Sequence, residues 1–583
     1  MEPSKPKLFG ATYTNRQLFG GFWKLAKPFW VSEERWPAIG MLSLVVALTL
    51  FSVFLTVQFN AWYQTTWDDL QKFDAPGFWH QMLKFCILAA LYITGGVFNQ
   101  FYTSQLQNKW RRWMTRRFLE HWLSSKSHYL WQLTEKKTDN PDQRIAEDVR
   151  DFVSNSLALS IGLLNNVVTL FSFITILWTM SGPLAIPLGG GKVFNLPGYM
   201  AWACLFYSIV GTWLTHKIGR PLIGLNYQQQ LLEANFRFSL VRLRENGESV
   251  ALSEGERVEE ESLKGHFQRV FGNFRSIIFK QLHLNMFTSG FGQLAIIFPL
   301  AVASPRFFAK QIGIGGLQRV MDAFGQVQNA LSWVVNNYVT LAFWRSVVER
   351  LDGFEAEVQR TKEMREQALS ILQPGAGESI RLENVVLSLP GQTQPLTKAL
   401  NLEFKKGQSV LISGPSGCGK STLLRAIYGI WPFTQGKISI PDKAQMVVMP
   451  QKPYLPVGTL RAALTYPKPE NEVPETEILQ ALSICRLDHL KDRLGDWENW
   501  ALFLSVGEQQ RVSWARVFLQ KPQWLFLDEA TSALDEDTQK RLYDALKKEL
   551  PQSTLISVAH SQNPKDFHQG IWNILGTEKI QPV

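Results

Sequence analysis

Six long stretches of this chain contain no Asp, Glu, Lys or Arg: Trp36–Trp67, Phe85–Asn108, Phe152–Gly191, Val193–Thr215, Gln281–Pro305 and Ala323–Trp344. A helix needs about 20 such residues to cross a bilayer, and one charge near its centre costs at least ~2.5 kcal/mol. Stretches this long that avoid charge point to an α-helical membrane domain with six transmembrane helices. The third is longer than one span requires, and its tail "SGPLAIPLGGG" reads as a turn before the fourth. Six spans place both chain ends on the same side.

Charge sorts the connections. "KWRRWMTRRF" follows the second run, and a polar stretch from Lys217 to about Lys280 follows the fourth, whereas the loops after the first and third are acidic or nearly uncharged. The positive-inside rule therefore puts both termini and both long connections in the cytoplasm, with Arg306 and Lys310 a minor exception. A net charge of +10 could mark a nucleic-acid binder, but the basic clusters sit at the ends of apolar runs, so the expected partner is a lipid bilayer and not nucleic acid. Cys86, Cys204, Cys418 and Cys485 have neither disulfide nor zinc-ligand spacing.

Residues 1–35 form an N-terminal interfacial elbow, whose "FGGFWKLAKPFW" reads as an amphipathic helix with Phe and Trp opposite Lys24 and Lys27. The membrane domain covers 36–350. Residues 351–378 are the linker, a charged helical stretch that breaks at "QPGAGES". At the start of the sixth run and along it, Asp322, Gln326, Asn329, Asn336 and Thr340 recur at helical spacing, so one face is polar. That face either lines a substrate cavity or bonds a neighbouring helix.

From 379 to 583, short β-rich runs such as "SVLISG", "WLFLDE" and "STLISVAH" alternate with helical stretches, the pattern of an α/β domain around a mostly parallel sheet. "SVLISGPSGCGKSTLL" is a buried strand, a glycine-rich turn and a helix start, a P-loop. In the loop Gly414, Pro415, Ser416, Gly417, Cys418 and Gly419, every residue but the proline can turn a backbone N–H toward a phosphate; Lys420 neutralises its charge, Ser421 ligates Mg²⁺, and Thr422 continues the helix. "WLFLDEA" is an apolar strand ending in two acids, of which Asp528 suits the Mg²⁺ shell and Glu529 the general base that polarises water. ATP and Mg²⁺ are the expected substrate and cofactor. In "LSVGEQQR", Ser505 and Gly507 offer a hydroxyl and a backbone N–H at a helix N-terminus, a second anion site by the residues alone.

Together "GPSGCGKST", Gln451 in "MPQKPY", "LSVGEQQR", "WLFLDEATSALD" and His560 in "SVAH" resemble the Walker A, Q-loop, signature, Walker B with D-loop, and H-loop motifs of an ATP-binding cassette. The resemblance implies a type IV exporter-like membrane domain followed by the cassette. It assigns Gln451 to Mg²⁺ and the attacking water, His560 to the γ-phosphate, Ser532 to Asp535 to coupling between sites, and Ser505, Gly507 and Glu508 to the ATP held by a second subunit. A homodimer follows. Val506 replaces the usual second glycine, and a β-branched residue resists positive φ; Leu389 and Pro390 stand where an adenine-stacking aromatic is expected.

"KPFWVSEERW", "KTDNPDQRIAEDV", the segment "ESVALSEGE" and "QKPYLPVGTLRAAL" are similar to half-transporters of the SbmA/BacA-like, YddA-like and ABCD-type group. The resemblance implies a bacterial inner-membrane protein with a cytoplasmic cassette that takes up small hydrophilic compounds, peptides or cobalamin. Movement of long-chain acyl-CoA, export of drugs or peptides, and an ATP-gated channel or regulator are the alternatives.

Overall fold

The computed structural model describes residues 14–133, 140–187, 193–374, 379–392, 394–441, 445–559, 567–573 and 581–582. Two compact units emerge, one of Met1–Leu119 with Asn140–Phe354, the other of Glu120–Asp139 with Glu355–Val583.

The first unit is helical. Helix α1 (Asn15–Trp30) opens with a reciprocal cap, Thr14 accepting from the Gln17 N–H while the Gln17 side chain accepts from Thr14. Its Leu25, Ala26 and Phe29 are buried, and Phe29 stacks on Trp110 at 5.5 Å. The aromatics divide between two faces, because Phe19 and Trp23 are exposed beside Lys24, which pairs with Asp352 at 2.9 Å.

Next come α2 (Arg35–Gln71) and α3 (Ala75–Leu123). The short α4 (Ser127–Leu130) belongs to the second unit. Helix α5 (Pro141–Gln143) leads through a π-turn, Arg144–Asp148, into α6 (Val149–Ser181). After Ser181 the chain forms a hairpin, β1 (Pro183–Pro187) antiparallel to β2 (Val193–Pro197), where a simple turn was expected. Prolines at 183, 187 and 197 forbid helix, so the fourth long helix, α7 (Tyr199–Glu245), starts after the hairpin and not at Val193.

Helices α8 (Gly247–Leu252), α9 (Glu256–Phe308), α10 (Ile314–Asn336) and α11 (Tyr338–Ser370) complete the series. The linker stretch is therefore helical through Ser370. Among the described residues, four segments, Arg35–Gln71, Ala75–Leu133, Pro141–Ser181 and Glu256–Phe308, are long and apolar enough to cross a membrane on length and composition alone. Helix α7 has Trp, Tyr and Thr spread through its apolar stretch, and α10 carries Arg319, Asp322, Gln326 and Gln328, which lowers the hydropathy of both.

Helix α10 is central. Its Val320, Ala323, Phe324 and Val327 share a core with Phe173 and Leu177 of α6, Cys204 and Tyr207 of α7, and Ala303 of α9. It begins well before the charge-free run because α2 caps it: Asp68 accepts from the Gly315 N–H at 3.1 Å and Gln71 from Ile314 at 3.0 Å.

The second unit is α/β. A six-stranded sheet has the order β14-β13-β6-β12-β11-β8, parallel except for β14. Its strands are β6 (Ser409–Ser413), β8 (Met446–Met449), β11 (Trp524–Asp528), β12 (Thr554–Val558), β13 (Gly570–Asn573) and β14 (Gln581–Pro582). A second sheet, ordered β3-β7-β4-β5, contains β3 (Leu372–Pro374), β4 (Ser379–Leu387), β5 (Leu400–Lys405) and β7 (Thr434–Ile440). A small ladder joins β9 (Gly458–Thr459) to β10 (Trp497–Glu498).

Helices α12 (Lys420–Ile427), α13 (Leu460–Thr465), α14 (Glu475–Ile484), α15 (Trp500–Phe503), α16 (Val506–Gln520) and α17 (Glu536–Glu549) pack on these strands. β6, β11 and β12 are apolar and buried on both faces, as a parallel strand covered by helices must be.

Candidate functional site

The site residues lie at the carboxyl ends of adjacent parallel strands, where open α/β sheets bind ligands. β6 feeds the loop Gly414–Gly419 and then α12, whose first residue is Lys420. Gly417 (φ 79°) and Gly419 (φ 101°) are left-handed, a conformation that side chains resist and that wraps the loop. Pro415 and Ser416 are exposed; Cys418 and Thr422 are buried, so the thiol packs in the core and the loop meets a ligand through its backbone. Lys420 donates to the Gly414 carbonyl at 2.7 Å and the Pro415 carbonyl at 2.9 Å, which holds its ammonium across the loop.

Ser421 donates to Asp528 Oδ1 at 2.7 Å, bringing one hydroxyl and one carboxylate oxygen together. Two hard oxygens at a P-loop fit Mg²⁺. Glu529 follows β11 with φ 49°, a strained position for a residue with a Cβ, pinned by its N–H to the Val558 carbonyl at 3.0 Å. Gln451, just beyond β8, donates to Glu529 Oε2 at 2.8 Å. The structure thus joins Gln451 to the candidate base, while Ser421 and Asp528 form the other pair. His560 lies outside the described residues.

Ser505 is the N-cap of α16. It accepts from the Glu508 N–H, and its hydroxyl donates to Glu508 Oε2 at 2.7 Å. His489 Nε2 lies 2.9 Å from the other Glu508 oxygen. Burial pushes the Glu508 carboxyl up, but the bonds from the Ser505 hydroxyl and N–H and from His489 outweigh it and hold it below the usual range. Glu508 therefore acts on the turn itself. Val506 is the first helical residue and needs no positive φ, which removes the steric objection raised by its sequence. Gly507 is small for a different reason: a Cβ there would sit 3.1 Å from the Ala533 carbonyl oxygen. Asp535 caps α17 by accepting from Thr538, and that bond lowers its carboxyl.

The residue that sequence reasoning passed over is Gln510, within the quoted "LSVGEQQR" and only 1% exposed. Its signal was a polar side chain on the buried face of α16. Near the P-loop, aliphatic Leu396 approaches Gly419, while Leu389, where an aromatic was expected, is half-buried against the core.

In the membrane unit the polar stripe divides. Asp322 accepts from Asn60 of α2 at 2.7 Å, and Arg319 donates to Asn60 at 3.0 Å and Gln64 at 2.7 Å, so this end of the stripe bonds a neighbouring helix. Asn329 and Asn336 are exposed; Gln326 and Thr340 are half-buried. A groove of about 360 Å³ between α7 and α10 is lined by Ser208, Thr212, Trp213, His216, Leu331 and Val335.

Long apolar helices and a P-loop cassette with a strand-end acid pair, on one chain, define an ATP-driven membrane transporter. Residues 26–308 match the ABC transporter transmembrane region 2 family and residues 397–532 the ABC transporter family. The chain belongs to the ABC transporters, as a half-transporter with fused membrane and cassette parts, and is an ATP hydrolase coupled to transport. It is 31% identical to the inner membrane ABC transporter ATP-binding protein YddA of Escherichia coli, over 96% of this chain and 97% of that one. It is 28% identical to the lysosomal cobalamin transporter ABCD4 of Homo sapiens, over 96% and 95%. A bacterial Atm1-family ABC exporter with ATP bound shares its fold at TM-score 0.69 and 18% identity, covering 94% and 95% of the two chains.

Proposed function

We propose that two copies of this chain form a homodimer in a bacterial inner membrane and use ATP to take up a small hydrophilic solute, such as a peptide or cobalamin. The observation that carries the dimer is the separate commitment of the two anion-binding turns. Lys420 is wrapped in its own loop, and Ser505 bonds Glu508 within its own turn, which leaves the serine helix to complete a neighbour's site.

In each composite site the P-loop backbone and Lys420 hold the triphosphate, and Ser421 and Asp528 would hold Mg²⁺, which would supply charge neutralisation at the phosphates. Glu529, positioned by Gln451, accepts a proton from the attacking water; His560 and the partner's serine turn hold the γ-phosphate. Closure of the cassettes around ATP switches the membrane helices between access states, and hydrolysis resets them. Asn329, Asn336 and the half-buried Gln326 and Thr340 supply the polar path, with Asp322 fixing α10 against α2. The relative named a cobalamin transporter and the inner-membrane relative support solute and location.

The test is reconstitution in vesicles with a panel of peptides, cobalamin and acyl-CoAs. ATP-dependent accumulation of a hydrophilic solute against its gradient is expected; equilibration without accumulation would mark a gate.

A further inference from the structure

The buried amide of Gln510 on α16 bonds three groups on two other segments at once. Its Nε2 donates to the Ser532 hydroxyl at 3.2 Å and points to the Gln451 carbonyl at 3.4 Å; its Oε1 accepts from the Ala533 N–H at 3.1 Å. Gln451 in turn holds Glu529 by its side chain, and the Ser532 N–H donates back to the Glu529 carbonyl at 3.1 Å. Gln510 lies one turn into α16, the helix that Ser505 caps. The close approach of Gly507 to the Ala533 carbonyl makes a second contact between the same helix and the same loop.

We infer that Gln510 is a positioning residue that couples the occupancy of a cassette's own ATP site to the aim of the serine turn it lends to its partner. Any shift of Gln451 and Glu529 on binding a γ-phosphate moves the Gln451 carbonyl and the Ser532–Ala533 segment, all bonded to the Gln510 amide. A buried amide cannot drop those bonds without cost, so α16 follows. Filling one site then re-aims Ser505 at the other, and the two sites bind and fire cooperatively. This rests on the shared-site reading above.

Full-length protein in lipid nanodiscs, with MgATP as substrate and trinitrophenyl-ATP as binding probe, tests it. Wild-type turnover should rise steeply with MgATP, with a Hill coefficient above about 1.5. Gln510→Ala, and Gln510→Glu, which keeps the acceptor for Ala533 but loses the donor, should each bring the Hill coefficient to about 1 and lower kcat at least about tenfold. Probe affinity should stay within about twofold.

Ser532→Ala should weaken steepness less, and a double-mutant cycle with Gln510→Ala should be non-additive in kcat. A wild-type protein without steepness, variants that keep it, or loss of probe binding in both Gln510 variants would each overturn the inference. Failure of the shared site itself reads out separately, as absence of activity in the mixed-subunit dimer described below.

Discussion

At the scale of single residues, Glu529 and Glu508 are two acids with opposite tasks. Glu529 is held in a left-handed conformation at a strand end, with Gln451 on its carboxylate. Replacing it by Gln should leave nucleotide binding within about twofold and cut phosphate release at least about 100-fold, because the water loses its proton acceptor. Phosphate release at the normal rate would show that another group is the base.

Glu508 is a capping carboxylate whose acidity is strengthened by the Ser505 bonds and His489. Its folded-state pKa lies below the unfolded value of about 4.3, so the stability it contributes is complete above that value and drains away as pH falls through the folded pKa. Glu508→Gln should therefore flatten the acid-side loss of stability, read as denaturation midpoints across pH 3 to 6 (about the range where such groups titrate).

At the scale of elements, what matters is where a helix begins and what anchors it. Asp148 closes the π-turn before α6, is buried, and accepts from Arg144 and from two nitrogens of Arg350 on α11 at 2.8 and 2.7 Å. Asp148→Ala removes the buried carboxylate that two guanidinium groups share and should cost about 3 kcal/mol of stability, measured by chemical denaturation in detergent. Ser505→Ala removes the cap of α16 and should cost about 1 kcal/mol, less than its effect on hydrolysis. These anchors were only partly legible. "LSVGEQQR" shows a serine three residues before a glutamate, which is a capping box on its face. The caps on α10 come from Asp68 and Gln71, far away in sequence, and no local pattern announces them.

At the scale of the whole molecule, the shared-site reading makes a prediction that one chain alone cannot satisfy. Glu529→Gln, which still binds ATP, and Ser505→Ala should each nearly abolish ATPase activity as homodimers. A mixed dimer of the two variants contains one pocket with both lesions and one with none, so it should regain roughly half of wild-type activity or less, and well above either parent. Co-expressed, separately tagged subunits purified in tandem supply the measurement; a mixed dimer as inactive as both parents contradicts the exchange of serine turns.

The amino-acid sequence by itself determined the division into a membrane part and a cassette, because long charge-free runs and a glycine-rich phosphate turn are local chemical necessities. It also singled out Lys420, Ser421, Asp528 and Glu529 as candidates, whose proposed tasks follow from their place beside a strand end and a loop. Tertiary structure alone decided which partners those residues take. Gln451 bonds Glu529, Asp322 turns to Asn60 instead of standing free, and Gln510 bridges three separate segments. Such pairings join positions distant in the chain, and a hydrogen bond is chosen by proximity after folding, which no spacing along one strand of sequence encodes.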